Sequence, residues 1–312
     1  MARPIILGVV GDSAGGKTTL TRGLVRVLGQ EQVSHVCLDD YHRYDRAQRA
    51  GMDVTPLAPD CNHMDVMAQH LKLLRCGEPI LKPVYRHADG TFGPPVYLRP
   101  GRFLIVEGLL GYHSDELRGC FDIRVFLDPP ESLRRRWKVV RDCSRRGYTT
   151  TQVLDELDRR EADSQRFIRP QRHQADMVVR FAPPGGGESD AADATHLDAH
   201  LLLRPGLPHP DLSDVVGDGD GGLQLLAAGD DQDLRVPGRL TPARALELEE
   251  RIWEHMHFAS HLRSERLGGF TMGTDLHRSD SLAIVQLLVL YHLVTARAKV
   301  EAGGPEAATR LL

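Results

Sequence analysis

Residues 5–10, IILGVV, form an apolar, mostly β-branched run that leads straight into Gly11, Asp12, Ser13, Ala14, Gly15, Gly16, Lys17 and Thr18. Apolar residues then recur at helical spacing as far as residue 28. The octet satisfies G-x-x-x-x-G-K-[ST] in the setting where that pattern has a mechanism, between a buried strand and a helix N-terminus. The glycines let successive backbone N–H groups converge on phosphate oxygens, and the positive end of the helix adds to their pull. Lys17 is expected to reach the β- and γ-phosphates of a nucleotide, and the Thr18 hydroxyl to complete a Mg2+ site. The loop commits the chain to a nucleotide-binding α/β core without choosing the reaction, because switches and motors share it. No N-K-x-D signature follows, which argues against a guanine nucleotide.

Further strand-like runs at 33–38, 103–106, 123–127 and 177–181 alternate with helical patterns such as 66–75 and 131–146. This alternation predicts a doubly wound α/β fold over residues 1–183, with a mostly parallel sheet and helices on both faces. Pro183, Pro184 and the glycines 185–187 mark a flexible break. Two strand-like runs follow, at 199–203 and 223–227, separated by the Gly/Asp stretch 217–222, and their turn-rich flanks favour antiparallel pairing. Thr241 and Pro242 open a helix over 242–256, and 281–298 is a strongly apolar helix. Residues 184–312 are expected to form an extension of antiparallel strands and helices packed on the core.

The run 33–38 ends in Asp39, Asp40, Tyr41 and His42. Carboxylates at a strand's carboxyl end lie at the crevice where open α/β sheets bind ligands. Phosphoryl transfer to an alcohol needs a group to take the hydroxyl proton, and Asp39 is expected to be that base. The bland alternative is that Asp39 and Asp40 cap the next element. Glu107, at the end of the apolar run 103–106, stands at a Walker B position and would hold Mg2+ or its waters. On 131–146, Arg134, Lys138, Asp142 and Arg145 fall in one narrow helical stripe, with Arg141 beside them. In isolation that stripe is a solvated, salt-bridged face. Beside a phosphate-binding loop it becomes a lid whose arginines neutralise charge during transfer. Tyr85, Arg86 and His87 are expected in a loop between Pro83 and Asp89, where an Arg/His pair suits a substrate phosphate.

Composition narrows the partners. Residues 1–183 carry 28 Lys+Arg against 23 Asp+Glu, net +5, and the remainder stands at −9. A mildly basic half suits anionic ligands, although ordinary surface variation would give as much. An overall charge of −4 with 5% aromatic residues points to no nucleic acid and no membrane as partner. Cys37, Cys61, Cys76, Cys120 and Cys143 are dispersed and make no disulfide framework. No signal-like pattern precedes Pro4, and no apolar run counts as long enough to cross a bilayer, so a cytoplasmic protein is expected.

Several segments are familiar in their order. Gly11 to Thr19, Cys37-Leu38-Asp39-Asp40-Tyr41-His42, Lys82-Pro83-Val84-Tyr85-Arg86-His87, Val106-Glu107-Gly108, Arg141-Asp142 through Arg146-Gly147-Tyr148, and Phe167 to Gln171 together resemble the phosphoribulokinases. The similarity spans roughly residues 5–182 and is strongest to the plant, cyanobacterial and archaeal branch. Trp253 to Met256 and His261-Leu262-Arg263 look most like archaeal-type members. The resemblance implies a P-loop kinase fold and ATP-dependent phosphorylation of the C1 hydroxyl of ribulose 5-phosphate, with Mg2+, in a homodimer. It puts Asp39 on the catalytic base and the segment through Thr19 on ATP. It puts His42, Arg46, Tyr85, His87, Arg141 and Arg146 on positions that contact sugar phosphate or support transfer, and Asp142 on a lid carboxylate. One departure matters: thioredoxin-regulated plant enzymes carry a cysteine where this chain has Gly15. Cys37 then lacks its usual partner, so no such disulfide switch is expected, and Cys37 should be a small buried residue.

Two patterns are decoys. His257 and His261 have i, i+4 spacing with His255 nearby, but Phe258 stands where a zinc-peptidase motif needs Glu. Asp218-Gly219-Asp220 fails as a calcium loop because Gly222 and Gly229 fall at ligand positions. The nearest rival activity is a uridine/cytidine kinase, or a kinase of a related pentose or nucleoside phosphate. A nucleoside brings no phosphate, which would leave His42, Arg46, His87 and Arg146 without purpose. A non-catalytic nucleotide-binding regulator would have no need of Lys17, Thr18, Asp39 and Glu107 together.

Overall fold

A computed structural model describes residues 2–52, 54–184, 196–213, 223–264, 266–272 and 275–303. Its first half runs β1 (Ile5–Gly11), α1 (Lys17–Leu28), β2 (Val33–Cys37), a 3-10 turn (Leu38–Tyr41), α2 (Arg46–Arg49), α3 (Met64–Arg75), β3 (Ile80–Arg86), β4 (Thr91–Leu98), β5 (Phe103–Gly108), α4 (Asp115–Arg118), β6 (Ile123–Leu127), α5 (Glu131–Arg146) and α6 (Thr150–Asp163). The second half runs β7 (Met177–Ala182), β8 (Asp198–Leu203), β9 (Gln224–Ala228), β10 (Asp231–Val236), α7 (Pro242–Glu254), β11 (Gly269–Met272), β12 (Asp275–Arg278) and α8 (Asp280–Glu301).

Eight strands form one sheet in the order β2-β5-β1-β6-β7-β8-β10-β9. The first five are parallel, as apolar runs buried on both faces require. Alternation along β1 sorts the core. Ile5, Leu7 and Val9 face α1, α7 and α8, whereas Ile6 and Val10 face α3, Tyr112 and Phe121. Gly8 sits where the second layer comes closest: a Cβ there would lie 2.7 Å from the Tyr112 hydroxyl. That hydroxyl donates to the Val125 carbonyl at 3.1 Å.

The sheet continues past residue 184 through antiparallel strands, but not in the expected pairing. β8 pairs with β7 on one side and β10 on the other, and among the described residues β9 pairs with β10 alone. Residues 199–203 and 223–227 are therefore not neighbours. The strand between them, Asp-Gln-Asp-Leu-Arg-Val, is too polar on its exposed face to announce itself, yet it buries Leu234 and Val236. The expected break at 185–187 and the Gly/Asp stretch 217–222 with Asp218 and Asp220 lie outside the described residues.

The apolar count also needs correction. α8 is 22 residues long and is by length and composition apolar enough to cross a membrane. Its apolarity has another cause here, because Leu282, Ile284, Val285, Leu287, Leu288, Leu290 and Leu293 are buried in the core beside α1, α7 and β8. Each such side chain contributes about 1.5–3 kcal/mol on burial. One polar residue on α8 sets its register. The Gln286 carboxamide donates to the Thr19 and Leu20 carbonyls at 3.3 and 3.2 Å and accepts from Gly268 N–H at 2.8 Å. Gly23 leaves room for it, since any Cβ there would collide with the carboxamide. The C-terminal helix is thus bonded to the first turn of the helix that follows the phosphate loop.

Candidate active site

The phosphate loop joins β1 to α1 where the parallel strands end. Gly16 takes the left-handed conformation at φ 92°, and Ala14 has φ 66°. Gly11, at φ 151°, passes the neighbouring strand so closely that a Cβ would lie 2.5 Å from the Leu127 carbonyl. Lys17 folds over its own loop, donating to the Gly11 and Asp12 carbonyls at 2.6 and 2.8 Å. Burial lowers its pKa, opposed by the Asp39, Glu107 and Asp12 carboxylates. The Asp12 carboxylate accepts from Ser164 Oγ at 2.5 Å, which ties the loop to the end of α6.

Strand register brings the two expected metal-binding groups together. Glu107 on β5 pairs with Val9 and Cys37 on its flanking strands, level with the start of α1. Thr18 Oγ1 then lies 3.2 and 3.4 Å from the two Glu107 oxygens. Thr21 donates to the same carboxylate at 3.2 Å, and His35 Nε2 lies 3.3 Å from it. Burial alone would raise the Glu107 pKa, but His35, Lys17 and Thr18 hold it below the ordinary value. An ionised carboxylate beside a hydroxyl at a phosphate loop is an oxygen donor set suited to Mg2+.

Asp39 sits in the 3-10 turn where β2 ends, so the strand stops one residue earlier than expected, at Cys37. Burial pushes its carboxyl up, yet His42, His87, Lys17 and Arg160 together bring it below the ordinary carboxylate value. His87 Nε2 is 3.6 Å from Asp39 Oδ2. Its neighbour Asp40 has a different task. It accepts from Tyr85 N–H at 2.8 Å and pairs with the Lys82 ammonium, pinning the β3–β4 hairpin over the turn.

That hairpin is the main correction at the site. Tyr85 and Arg86 are the last residues of β3, paired with Phe92 and Thr91, and only His87 begins the turn. Lys82, Pro83, Pro94 and Pro95 disguise the strands, which form a separate two-stranded ribbon where proline is tolerated. The strand aligns a stack of ring edges: His42 to Tyr85 at 4.9 Å and Tyr85 to His87 at 5.1 Å between centroids. His42 is buried, its Nδ1 2.8 Å from the Asn62 carboxamide oxygen. Burial lowers the pKa of both histidines despite Asp39, and Arg146 and Arg141 add to the effect at His87.

Arg46 opens α2, capped by Asp45, and its guanidinium donates to the His87 carbonyl at 2.6 Å. Arg49, one turn on, donates to the Tyr85 hydroxyl at 2.8 Å. The expected lid is a helix pair. Arg134 and Lys138 on α5 are buried rather than solvated, and Arg134 donates to the Ser13 carbonyl at 3.1 Å. Arg141 reaches Ser13 Oγ at 3.4 Å. Asp142 is buried beneath Lys138 at 2.9 Å, Arg141 at 2.8 Å and Arg146 at 3.5 Å. Burial pushes the Asp142 carboxyl up, but Arg141 and Lys138 prevail and bring it to about 2. The Arg145 side chain lies outside the described residues.

The expected residues are linked pairwise: Thr18 to Glu107, Asp39 to Lys17, His42 and His87, His87 to Tyr85, Arg46, Arg141 and Arg146, Arg141 to Ser13 of the loop, and Asp142 to Arg141 and Arg146. Three others join them that the sequence reading did not single out. Asn62 orients His42, Arg49 orients Tyr85, and Arg160 on α6 contributes its charge to Asp39. The Arg160 Nε is buried without a hydrogen-bond partner among the described residues. The capping box Thr149–Gln152 was a readable sign of the helix that carries Arg160. Cys37 is half-buried rather than buried, and is a free thiol. His255, at the end of α7, bonds the Asp211 carbonyl at 3.0 Å, a structural contact.

A phosphate loop at the switch from strand to helix, with Asp39 and Glu107 beside its Lys17 and Thr18, defines the chain as a P-loop protein. A family model described as the phosphoribulokinase / uridine kinase family matches residues 6–184. The chain belongs to that family of kinases. It is 37% identical over 181 residues to a phosphoribulokinase of Synechocystis, covering 58% of this chain and 54% of that protein. It is 31% identical to a chloroplastic phosphoribulokinase of Triticum aestivum, covering 58% and 49%. The chain therefore spans about half the length of the curated phosphoribulokinases it matches. A uridine kinase of Oceanobacillus iheyensis is 30% identical, covering 66% of this chain and 98% of that protein. A solved phosphoribulokinase from Rhodobacter spheroides shares the fold, with TM-score 0.58 at 20% identity, covering 83% of this chain and 99% of that one.

Proposed function

We propose that this chain transfers the γ-phosphate of ATP to the C1 hydroxyl of D-ribulose 5-phosphate, giving ribulose 1,5-bisphosphate and ADP. The observation that carries this reading is the charge of the acceptor side. Asp39 is flanked by His42, His87, Lys17 and Arg160, Arg141 and Arg146 act on His87, and Arg46 and Arg49 hold the His87 carbonyl and the Tyr85 hydroxyl, more cationic and donor groups than a neutral alcohol requires. A phosphorylated sugar would use them, since arginine and histidine donors to phosphate are charge-assisted and strong.

Asp39 takes the C1 hydroxyl proton as the oxygen attacks the γ-phosphorus, and ADP leaves. Lys17 and Arg141 neutralise the charge that builds on the transferred group. Thr18 and Glu107 would hold Mg2+, which would supply further neutralisation of the charge on the transferred phosphate. Asp142 pairs with Lys138, Arg141 and Arg146, and Arg141 reaches Ser13 of the loop. The alternative is a uridine/cytidine kinase, favoured by the uridine kinase relative that the chain covers almost entirely.

A panel of pentose phosphates, free pentoses and nucleosides, read by ADP release, tests the choice. Ribulose 5-phosphate is expected to give the highest kcat/KM. A clear preference for uridine or cytidine would replace the proposal with the nucleoside reading.

A further inference from the structure

Cys37 has no part in the proposed transfer, yet its sulfur shares a corner of the crevice with two groups that do. Cys37 Sγ, an Asp39 carboxylate oxygen and a His87 ring nitrogen lie within 4.8 Å of one another, all three residues half-buried. Asp39 and His87 already approach to 3.6 Å. A tetrahedral zinc site with metal–ligand bonds of about 2.0–2.3 Å separates its ligand atoms by roughly 3.3–3.8 Å. At most about 1.5 Å then remains to be closed.

The backbone holding the three donors is well fixed. Cys37 closes β2 in register with Glu107, Asp40 bonds the hairpin to the Asp39 turn, and Arg46 holds the His87 carbonyl at 2.6 Å. One sulfur, one imidazole nitrogen and one carboxylate oxygen form a set that borderline-soft cations accept and Mg2+ does not favour. Three protein ligands also leave a fourth position open to water.

We propose that Cys37, Asp39 and His87 form a binding site for a divalent cation of the Zn2+ class, and that filling it arrests phosphoryl transfer by occupying the Asp39 carboxylate. The thiol S–H bond breaks as the sulfur–metal bond forms, the proton passes to solvent, and nothing is oxidised or reduced. Binding stands on the donor geometry alone, whereas the arrest rests on the reading of Asp39 as base.

Co2+ added to the wild-type protein and to Cys37→Ser separates the two. The wild type is expected to show a thiolate-to-cobalt charge-transfer band and the intense visible bands of a tetrahedral site, both removed by Zn2+ and absent in Cys37→Ser. Turnover without added Zn2+ should match in the two proteins, while inhibition by Zn2+ in excess Mg-ATP is at least about tenfold weaker in the variant. The same cobalt spectrum in both proteins, or no thiolate band in either, overturns the proposal. A thiolate band without turnover on any acceptor keeps the site and removes the kinase reading instead. Should Cys37→Ser fail to fold, alkylation of the wild type decides. Zn2+ is expected to shield the Cys37 peptide from iodoacetamide, and unchanged labelling counts against the site.

Discussion

Asp40→Ala is the substitution whose consequences can be worked furthest from the structure. The Asp40 and Lys82 side chains are 10% and 12% exposed, and the carboxylate also accepts the buried Tyr85 N–H at 2.8 Å. Removing one partner of a buried ion pair costs about 3–5 kcal/mol, because the other charge is left uncompensated. Losing the acceptor of a buried backbone N–H costs roughly 1–3 kcal/mol. The two do not add fully, since Lys82 keeps its bond to the Pro83 carbonyl at 3.0 Å and lies near the surface. About 3 kcal/mol is expected in all, or roughly 4–5 °C in Tm for a chain of this length. Urea denaturation followed by circular dichroism measures it. Asp40→Ala/Lys82→Met removes the orphaned ammonium and should recover at least half of the loss. The hairpin carrying Tyr85 and His87 would loosen too, so acceptor KM should rise more than ATP KM. A loss under about 0.5 kcal/mol, the size of an ordinary surface change, refutes the reasoning. So does a double variant no more stable than the single one.

The remaining predictions concern the loop, the base and the lid. Gly23→Ala should destabilise by about 1–2 kcal/mol through overpacking against Gln286, although alanine is the better helix former; a gain in Tm would show that α8 can retreat freely. Asp39→Asn should lower kcat by about two to four orders of magnitude with ATP affinity kept, and unchanged turnover removes Asp39 from the role of base. Because the folded pKa of Asp39 lies below 3.8, the acid limb of kcat/KM should fall in the carboxylate range or lower, and a limb near pH 6.5 would point to histidine instead. Asp142, depressed from 3.8 to about 2, stabilises the fold fully above about pH 4 and loses that contribution as pH falls towards 2. The urea midpoint of the wild type should converge on that of Asp142→Asn over this window; a constant gap contradicts the assignment.

The phosphate loop was legible because a local backbone geometry dictates its residues, Gly16 in the left-handed region above all. Asp39 and Glu107 were legible because a strand's end is a position, and position in a parallel sheet implies the crevice. The hairpin 80–98 was not, since Lys82, Pro83, Pro94 and Pro95 break the alternation that identifies strands, and its stability comes from Asp40, far off in sequence. β10 stayed hidden for a similar reason, its burial supplied by neighbours rather than by its own pattern. Arg49, Asn62 and Arg160 act through tertiary contacts alone. Charge on α5 was visible, but not that Arg134, Lys138 and Asp142 would be buried against α6 and the loop.

The acceptor phosphate is the point on which the account turns, and comparing ribulose 5-phosphate with unphosphorylated ribulose addresses it directly. Charge-assisted hydrogen bonds contribute about 1.5–3 kcal/mol each, so the ratio of kcat/KM should exceed roughly a hundredfold in favour of the phosphorylated sugar. It should shrink in Arg46→Ala. Equal use of the two sugars, or a ratio untouched by removing Arg46, would contradict an anionic acceptor held in this crevice.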